Sequence, residues 1–511
     1  MLWHYYGLEF TEQFAQLFGN YYIGEHPTPE ANSYAVLYLE FSRIDTTTRE
    51  STFEGFLSNV RWAVKDFLNR YTQLKLSEQK SILSCSSPSE VLKALFETVD
   101  KQQPIYVIID EYDHFANEIM AFNFDHFSEF VSRNGFVRKF YEAIKEATGR
   151  GIVNRFFATG VTPITLDSLT SGFNIAAYLT THFYFHEMMG FTESEVGTLL
   201  KKTAPQLSKE EHQWVWDDLK KWYNGYLFAP DAESRLYNPD MVLYFLKEFA
   251  YKNTYPRTLI DLNIASDYGK IRRLFRLGSS EHYQVVLEGL IETGHVEALL
   301  TQQFSFEKPF DQDDFISLLF YMGLVTIHQT RLSRLKFSFP NYVIKELYLE
   351  FFIKSLREQF QLDFEINDVR DKLEQLAQDN NIMPFVSLTE NALKTLSNRD
   401  FIFFDEKYIK ALFVGFASLS NLYFIKSEPE PEQKYPDILL LYRQPYAPNY
   451  QFLLELKYLN KKQRSRLNEK RKEAINQIKR YKQFPEIQQL ENLKSWVIVF
   501  VGEKAEVVEE V

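Results

Sequence analysis

The sequence has very little cysteine: Cys85 is the one thiol among 511 residues. A single cysteine excludes an internal disulfide and indicates a reducing compartment. The chain also lacks any apolar run near the ~20 residues that a membrane-spanning helix requires, and its N-terminus lacks a signal-peptide pattern. These absences predict a soluble, cytoplasmic protein that makes no membrane contact.

Positive charge is scarce as well, because 57 Lys and Arg residues stand against 69 Asp and Glu residues and give a net charge of −12. No global basic field therefore attracts nucleic acid, and any such contact has to come from a local patch. Hydrophobic residues make up 45% of the chain and aromatic residues 16%, which is ample for packed cores. A chain of this length predicts about two to four domains.

The first 190 residues alternate between strand patterns and helix patterns. Short apolar runs bounded by polar residues predict strands at Ser33–Phe41, Ile105–Asp110, Arg155–Gly160 and His182–Glu187. Longer stretches between them predict helices at Thr48–Leu74, Ser89–Val99 and His126–Thr148. This alternation indicates a mostly parallel sheet with helices on both faces.

Helix patterns dominate from Gly190 to about Leu300. Residues Phe310–Asn341 then give a helix, a strand, a polar turn and a second strand, as at the end of a winged-helix-like module or in a packing element between domains. This module has no basic recognition helix, which argues against DNA reading. The predicted domains are 1–190, 191–300, 301–384 and 385–511.

The last domain carries the strongest chemical signal. It has the order α-β-β-β-α-β, with elements at Asp405–Leu419, Asn421–Ser427, Asp437–Tyr442, Gln451–Tyr458, Ser465–Phe484 and Trp496–Val501. Asp437 opens one strand, and Glu455 and Lys457 lie two residues apart in the next, so their side chains share a face. Two carboxylates on a hairpin suit Mg²⁺, and Glu406 on the preceding helix adds a third. The lysine can orient an attacking water or stabilise developing charge.

A simple surface ion pair is the alternative interpretation of Glu455 and Lys457. The surrounding runs, DILLL and FLLELKYL, are apolar on each side of the acids. Charges inside such runs are costly unless they are used, which favours a cleft that binds a metal.

The PD…ELK pattern resembles the PD-(D/E)XK nuclease superfamily. The resemblance implies that Asp437 and Glu455 bind the metal, that Lys457 is catalytic, and that Glu406 corresponds to the helical glutamate of that superfamily. Gln477 and Tyr481, four apart on the following helix, resemble an accessory pair found in part of the superfamily.

A basic segment, Lys457–Lys482, lies beside these acids. It contains eleven Lys or Arg residues and two acids, Glu469 and Glu473. A basic patch next to a metal site predicts a DNA or RNA partner, and a solvated helix face is the alternative.

The stretch PIYVIIDEYD, together with RFFATGVTPIT, resembles a bacterial AAA-ATPase-like family that often precedes a PD-(D/E)XK domain. The resemblance implies that Asp110 and Glu111 are a Walker B pair, that Thr159 or Thr162 is the sensor residue, and that Arg155 stabilises charge. The segments Lys220–Phe228 and Leu236–Leu246 resemble the lid of that family. A helix cap after a strand is the alternative for the two acids.

The phosphate-binding loop expected of such an ATPase is missing. The one Gly-Lys pair, Gly269-Lys270, has Ile264 and Ile271 where G-x-x-x-x-G-K-[ST] requires glycine and a hydroxyl residue. The opening residues resemble the end of the helix that follows a P-loop, so a truncated gene, a late start or a decayed ATPase is expected. We therefore predict that this chain does not bind ATP usefully and that strand Arg155–Gly160 has an unpaired edge or pairs with a substitute strand.

Together the resemblances predict an α/β multidomain fold. It comprises an incomplete P-loop-type parallel sheet with a helical lid and a winged-helix-like module, followed by a PD-(D/E)XK domain. Two functions stay open, a Mg²⁺-dependent nuclease joined to a degenerate ATPase module and a non-catalytic switch or binding scaffold. The sequence also leaves a homo-oligomer open.

Overall fold

The computed structural model describes twelve stretches of the chain: residues 1–99, 103–115, 135–163, 175–261, 286, 289–291, 293–302, 304, 311–332, 334–396, 405–427 and 436–511. The chain forms two compact units. The first comprises Met1–Leu179, Arg273–Ser279 and Leu299–Met322, and the second comprises Thr180–Arg272, Ser280–Ala298 and Gly323–Val511. Within the described residues, no helix has both the length and the apolar character that crossing a membrane demands.

The first unit is built on a parallel sheet. Its strands, in the order β1-β2-β3, are β1 (Ala35–Glu40), β2 (Ile105–Asp110) and β3 (Val153–Ala158). Its described helices are α1 (Leu2–Tyr6), α2 (Phe14–Phe18), α3 (Tyr22–Glu25), α4 (Arg49–Tyr71), α5 (Leu76–Leu83), α6 (Pro88–Thr98) and α7 (Phe136–Gly149), with a 3₁₀ turn at Leu8–Gln13. The sheet order places β3 at an edge among the described strands.

The two faces of this sheet bury different layers. Val107 and Ile109 of β2 point into the main core formed with α4, α6 and α7. Tyr106 and Ile108 point to the opposite face, where they pack with Tyr34 and with side chains from α1. Both faces of a parallel strand are therefore covered, which explains why IYVIID is an uninterrupted apolar run.

The second unit begins with a predicted strand that the structure does not contain. His182–Glu187 is largely a 3₁₀ turn, Phe183–Met188, in which the His182 side chain accepts a hydrogen bond from the Tyr184 backbone. Phe183 and Tyr184 are exposed, so the aromatic run does not mark a buried strand and the prediction is wrong. The following elements are α8 (Glu193–Thr203), α9 (Lys209–Tyr223), β4 (Asn224–Tyr226), β5 (Leu236–Tyr237) and α10 (Pro239–Lys252).

The region of the predicted winged-helix-like module divides between the two units. Its helix, α11 (Gln312–Tyr321), places Leu318 in the core of the first unit. Strands β6 (His295–Ala298), β7 (Thr326–Arg331) and β8 (Arg334–Ser338) form an antiparallel sheet of order β6-β8-β7 in the second. The winged-helix interpretation stays a prediction. Three helices follow: α12 (Tyr342–Phe360), α13 (Ile366–Asp379) and α14 (Met383–Leu396).

A five-stranded mixed sheet closes the second unit. After α15 (Glu406–Ser418), its strands are β9 (Tyr423–Lys426), β10 (Ile438–Tyr442), β11 (Gln451–Leu459), β12 (Leu493–Val501) and β13 (Lys504–Glu510). A 3₁₀ turn (Lys461–Arg466), α16 (Leu467–Tyr481) and α17 (Pro485–Gln488) lie between β11 and β12. The spatial order is β13-β12-β11-β10-β9, with β11 and β12 parallel and the other pairs antiparallel.

Strand β13 extends this sheet beyond the elements that the sequence predicts. Gly502 takes a left-handed φ of 62° and reverses the chain, so that β13 pairs with β12 at the edge of the sheet. Apart from the short helix α17, the elements α15-β9-β10-β11-α16-β12 follow one another in the order inferred from the sequence.

Candidate active site

The register of β10 and β11 brings Asp437 to Glu455. Ile438 pairs with Leu454 in this antiparallel hairpin, and continuing the register by one residue sets Asp437 opposite Glu455. The Leu456 backbone N–H donates a hydrogen bond to Asp437 Oδ2 at 2.8 Å. The strand end thus fixes the carboxylate of Asp437 beside β11 while its side chain stays partly exposed.

Glu455 and Lys457 are buried although both are charged residues. Their exposed fractions are 1% and 4%, because α16 covers the same face of β11 with Ala474, Ile478 and Tyr481. Lys457 Nζ donates to Glu455 Oε1 at 2.9 Å and to Glu406 Oε1 at 3.1 Å. Glu406, the first residue of α15, therefore joins the cluster from a different element.

The electrostatics of the cluster follow from three acids around one cation. Burial raises the pKa of Glu455 well above its usual value, the charge of Asp437 raises it further, and Lys457 opposes both. Burial also raises the pKa of Glu406, with Lys457 again opposing. For Lys457, burial disfavours the charged form, but attraction to Glu455, Asp437 and Glu406 raises its pKa above the usual value. The raised pKa values of the two glutamates mean that charging all three acids beside a single lysine is costly, so a further cation would stabilise their charged forms.

One oxygen of Glu455 has no partner. Its Oε2 atom is buried and accepts no hydrogen bond in the described part of the protein. An unsatisfied buried carboxylate oxygen costs free energy and calls for an explanation, of which a bound ion is one. With Asp437 opposite it, this oxygen gives a hard donor set that fits Mg²⁺ completed by waters. Among the described residues, no three His, Cys, Asp or Glu side chains are placed to hold one metal ion together, so Asp437 and Glu455 would supply only part of the coordination shell.

Helix α16 brings the predicted accessory pair to the same site. Tyr481 is buried, and its pKa is raised by burial, then by Glu455 and, more weakly, by Asp437. The Oε1 atom of Gln477, one turn earlier, is buried without a hydrogen-bond partner among the described residues. All six residues predicted for this site therefore lie on elements that border Glu455 and Lys457.

Three of the eleven basic residues in the segment Lys457–Lys482 pair with acids that sequence reasoning missed. Lys461 pairs with Glu503 at 2.7 Å, Arg464 with Glu506 at 3.1 Å, and Arg471 with Glu509 at 2.5 Å. Hydrogen bonding to Arg471 lowers the pKa of Glu509. We call Glu503, Glu506 and Glu509 the acidic edge. Counting charge only within the segment hid this edge, because it becomes adjacent to the segment only when β13 folds back.

The Walker-B-like acids lie at the end of β2 in the first unit. Asp110 Oδ1 accepts from the Thr159 hydroxyl at 2.5 Å, and Asp110 Oδ2 accepts from the Tyr38 hydroxyl at 3.1 Å. Glu111 is exposed with a left-handed φ of 50°, and its side chain approaches His114 at 3.5 Å. The structure thus joins Asp110 to Thr159 and leaves Glu111 facing solvent.

Arg155 and Thr162 do not join Asp110. Arg155 is opposite Tyr106 in the sheet, four residues before Asp110 and thus about 13 Å away along the strand; it pairs with Glu30 at 2.5 Å. The Thr162 hydroxyl donates to Asp113 at 2.8 Å.

Asp113, a residue that sequence reasoning missed, is buried and also accepts from the backbone of Val161 at 3.0 Å. A Cβ at Gly160 would lie 2.3 Å from Asp113 Oδ1. Glycine at this position therefore lets the loop after β3 close on the acid.

The fold defines a parallel-sheet ATPase-like domain followed by a mixed-sheet nuclease-like domain. Residues 1–170 match the family described as "Predicted AAA-ATPase", and residues 404–510 match the PD-(D/E)XK nuclease superfamily. The chain therefore joins an AAA-ATPase-like domain to a PD-(D/E)XK nuclease superfamily domain, as its motifs predict.

Two further similarities cover parts of the chain. An uncharacterized protein in the vnfD 5′ region of Azotobacter chroococcum mcd 1 is 25% identical over 210 residues, which cover 37% of this chain. The match spans about a third (35%) of that relative's length. Among solved structures, the Walker-type ATPase of Pyrococcus abyssi is similar at 12% identity and a TM-score of 0.34, covering 62% of this chain and 91% of that one.

Proposed function

We propose that the C-terminal domain, residues 385–511, is a Mg²⁺-dependent phosphodiesterase that cleaves nucleic acid. The observation that carries this proposal is the buried Glu455, which has one oxygen without a hydrogen-bond partner among the described residues and lies beside Asp437 and Lys457. Most buried polar atoms in proteins have a hydrogen-bond partner. A carboxylate oxygen without one, next to a second carboxylate, supports a role as a cation ligand.

Asp437 and Glu455 would hold the metal, with Glu406 at the margin of the site. Mg²⁺ in such a site neutralises the phosphate and lowers the pKa of a bound water. Lys457, held by hydrogen bonds to Glu455 and Glu406, keeps its charge fixed where the scissile phosphate becomes more negative, so no reorganisation is needed during reaction. Gln477 and Tyr481 would orient groups at the covered side of the site.

The substrate is proposed to be DNA or RNA, which passes along the basic segment Lys457–Lys482. Lys462, Lys472 and Lys479 are exposed and have no ion pair with described residues. Their charge supports a phosphate contact outside the acidic edge.

We propose that the ATPase-like domain of this chain does not bind ATP. Asp110 and Glu111 would correspond to the Walker B pair and Thr159 to the sensor, while Arg155, paired with Glu30, takes no part at Asp110. The given sequence has no G-x-x-x-x-G-K-[ST] motif, which in P-loop ATPases supplies a nest of backbone N–H groups and a lysine to the triphosphate.

The test is cleavage of labelled DNA and RNA by the purified chain with and without Mg²⁺. Asp437→Asn is the main variant, because this partly exposed side chain keeps an acceptor for the Leu456 N–H. Lys372→Ala is the control, since it removes one lysine from a surface pair with Asp368. Cleavage that needs Mg²⁺ and Asp437 but not Lys372 is expected. Nucleic acid bound yet uncut under all conditions would instead favour a binding scaffold.

A further inference from the structure

A cavity of about 180 Å³ opens on the side of Asp437 and Glu406. Helix α15 contributes Glu406, Lys407 and Lys410 to its wall, positions close enough in helical spacing to border one groove. Helix α12 contributes Lys345 from the opposite side. We call this cavity the lysine cleft.

The charge of the lysine cleft differs from that of the metal site beside it. Three lysines and two acids line it, and Glu406 is already engaged by Lys457. Lys407 and Lys410 form no ion pair with any described residue, and Lys345 donates to the Ser427 carbonyl at 2.9 Å. Three lysines at one cleft, two of which have no ion pair among the described residues, favour an anionic ligand.

Helix α12 is held by buried contacts with neighbouring elements of the second unit, so the lysine cleft is preformed. The fully buried Arg443 guanidinium donates to Glu346 at 3.0 Å and to Asn421 at 3.2 Å. Helices α12 and α15 also pack closely at Gly415, where an added Cβ would lie only 2.4 Å from the Ile353 side chain. These interactions hold Lys345 in place next to the domain that carries the predicted active site.

Size and lining restrict what the cleft can hold. Its volume is below the ~300 Å³ of common small-molecule pockets, so it admits a fragment and not a duplex. Phe339, Leu349 and Val414 supply an apolar wall, against which a sugar or base edge can pack.

We propose that the lysine cleft binds the phosphate and sugar adjoining the scissile phosphodiester, with Lys345, Lys407 and Lys410 contacting the flanking phosphate. This inference rests on the proposed nuclease function, since it places a substrate subsite beside Asp437. It also assigns α12, outside the matched nuclease region, a direct part in substrate binding.

The experiment measures binding of fluorescein-labelled single-stranded DNA and RNA oligonucleotides by fluorescence anisotropy, in EDTA so that no cleavage occurs. The double variant Lys407→Gln/Lys410→Gln is expected to bind about tenfold more weakly. Its slope of log affinity against log salt should fall by up to about 1.4, or ~0.7 for each single-strand phosphate that a lysine no longer neutralises. Lys407→Arg/Lys410→Arg should keep most of the affinity.

The matched control is Lys201→Gln/Lys202→Gln, which removes two exposed lysines of α8. Equal weakening in the control, or unchanged binding by the cleft variant while wild type still binds and cleaves, would overturn the subsite and leave the nuclease function standing. Failure of the wild-type chain to bind either oligonucleotide would overturn both. Retained melting temperature in each double variant excludes misfolding as the cause.

Discussion

The two strands that carry acids look alike in sequence, but the acids differ in their partners. Asp110 ends IYVIID, and both its oxygens accept from neutral hydroxyls, Thr159 and Tyr38. Glu455 is inside FLLELKYL, faces Asp437 and contacts the cation of Lys457, and its buried second oxygen has no hydrogen-bond partner in the described part of the chain. Both carboxylate oxygens of Asp110 thus have hydrogen-bond donors within the first unit, whereas Glu455 Oε2 lacks one among the described residues. For this reason we assign the chemistry to Glu455.

The variant Lys457→Ala gives the strongest test of this difference between the two acids. Cleavage is expected to fall by about 10²–10³-fold, the usual effect of losing one preorganised charge stabiliser. Single-turnover cleavage under saturating Mg²⁺ measures this effect, and wild-type rates would contradict the role of Lys457.

The same variant should also lose stability. Because Lys457 is buried and not solvated, its removal leaves Glu455 without a counter-charge, which costs on the order of 3 kcal/mol. Urea unfolding measures the free energy, and Lys372→Ala should change it little because its ion pair is at the surface.

Asp113→Ala tests the structural side of the comparison. It strips acceptors from the backbone N–H groups of Val161 and Thr162, so the free energy of unfolding of the first unit should drop by about 3 kcal/mol. Thermal unfolding monitors the change. At temperatures where the variant is folded, nuclease activity should be unaltered, and a specific reduction of cleavage would argue that this acid also serves chemistry.

The variants Asp437→Asn and Asp110→Asn should differ in how much Mg²⁺ they need for cleavage. Loss of a direct carboxylate should raise the Mg²⁺ concentration for half-maximal cleavage at least about tenfold, since even outer-shell changes cost 10–100-fold. Asp110→Asn should leave that concentration unchanged. Equal shifts in a Mg²⁺ titration of both variants would contradict the assignment.

A smaller effect is expected at the acidic edge. Glu503→Gln, Glu506→Gln and Glu509→Gln together release Lys461, Arg464 and Arg471, so binding of DNA should tighten a few-fold and become more salt-dependent. The control Glu12→Gln, Glu54→Gln and Glu97→Gln makes the same change in net charge at exposed positions of the first unit. Matching affinities for the two triple variants would mean that only net charge matters.

We expect no binding of ATP to this chain. Isothermal titration of this 511-residue chain with Mg·ATP should give no binding heat, because Asp110 and Glu111 are anions without a P-loop lysine beside them. Micromolar binding would place the phosphate site elsewhere in the chain.

The sequence by itself determined the family of both domains, and it predicted the residues that we propose carry the chemistry. Apolar runs specified β2, β10 and β11, and two-residue strand periodicity placed Glu455 and Lys457 on one face. Local patterns failed at His182–Glu187, where aromatic side chains are exposed in a 3₁₀ turn, because a short apolar run does not specify whether a neighbouring strand exists to pair with it.

Only the tertiary structure decided which charges meet. The acidic edge reaches the basic segment through the return of β13 at Gly502, and Arg155 pairs with Glu30 instead of Asp110. Lys345 reaches the lysine cleft from α12, which ends 46 residues before α15 begins. Each of these pairings joins residues far apart in sequence. Periodicity gives the face on which a side chain lies, but the neighbour across that face is set by how the elements pack.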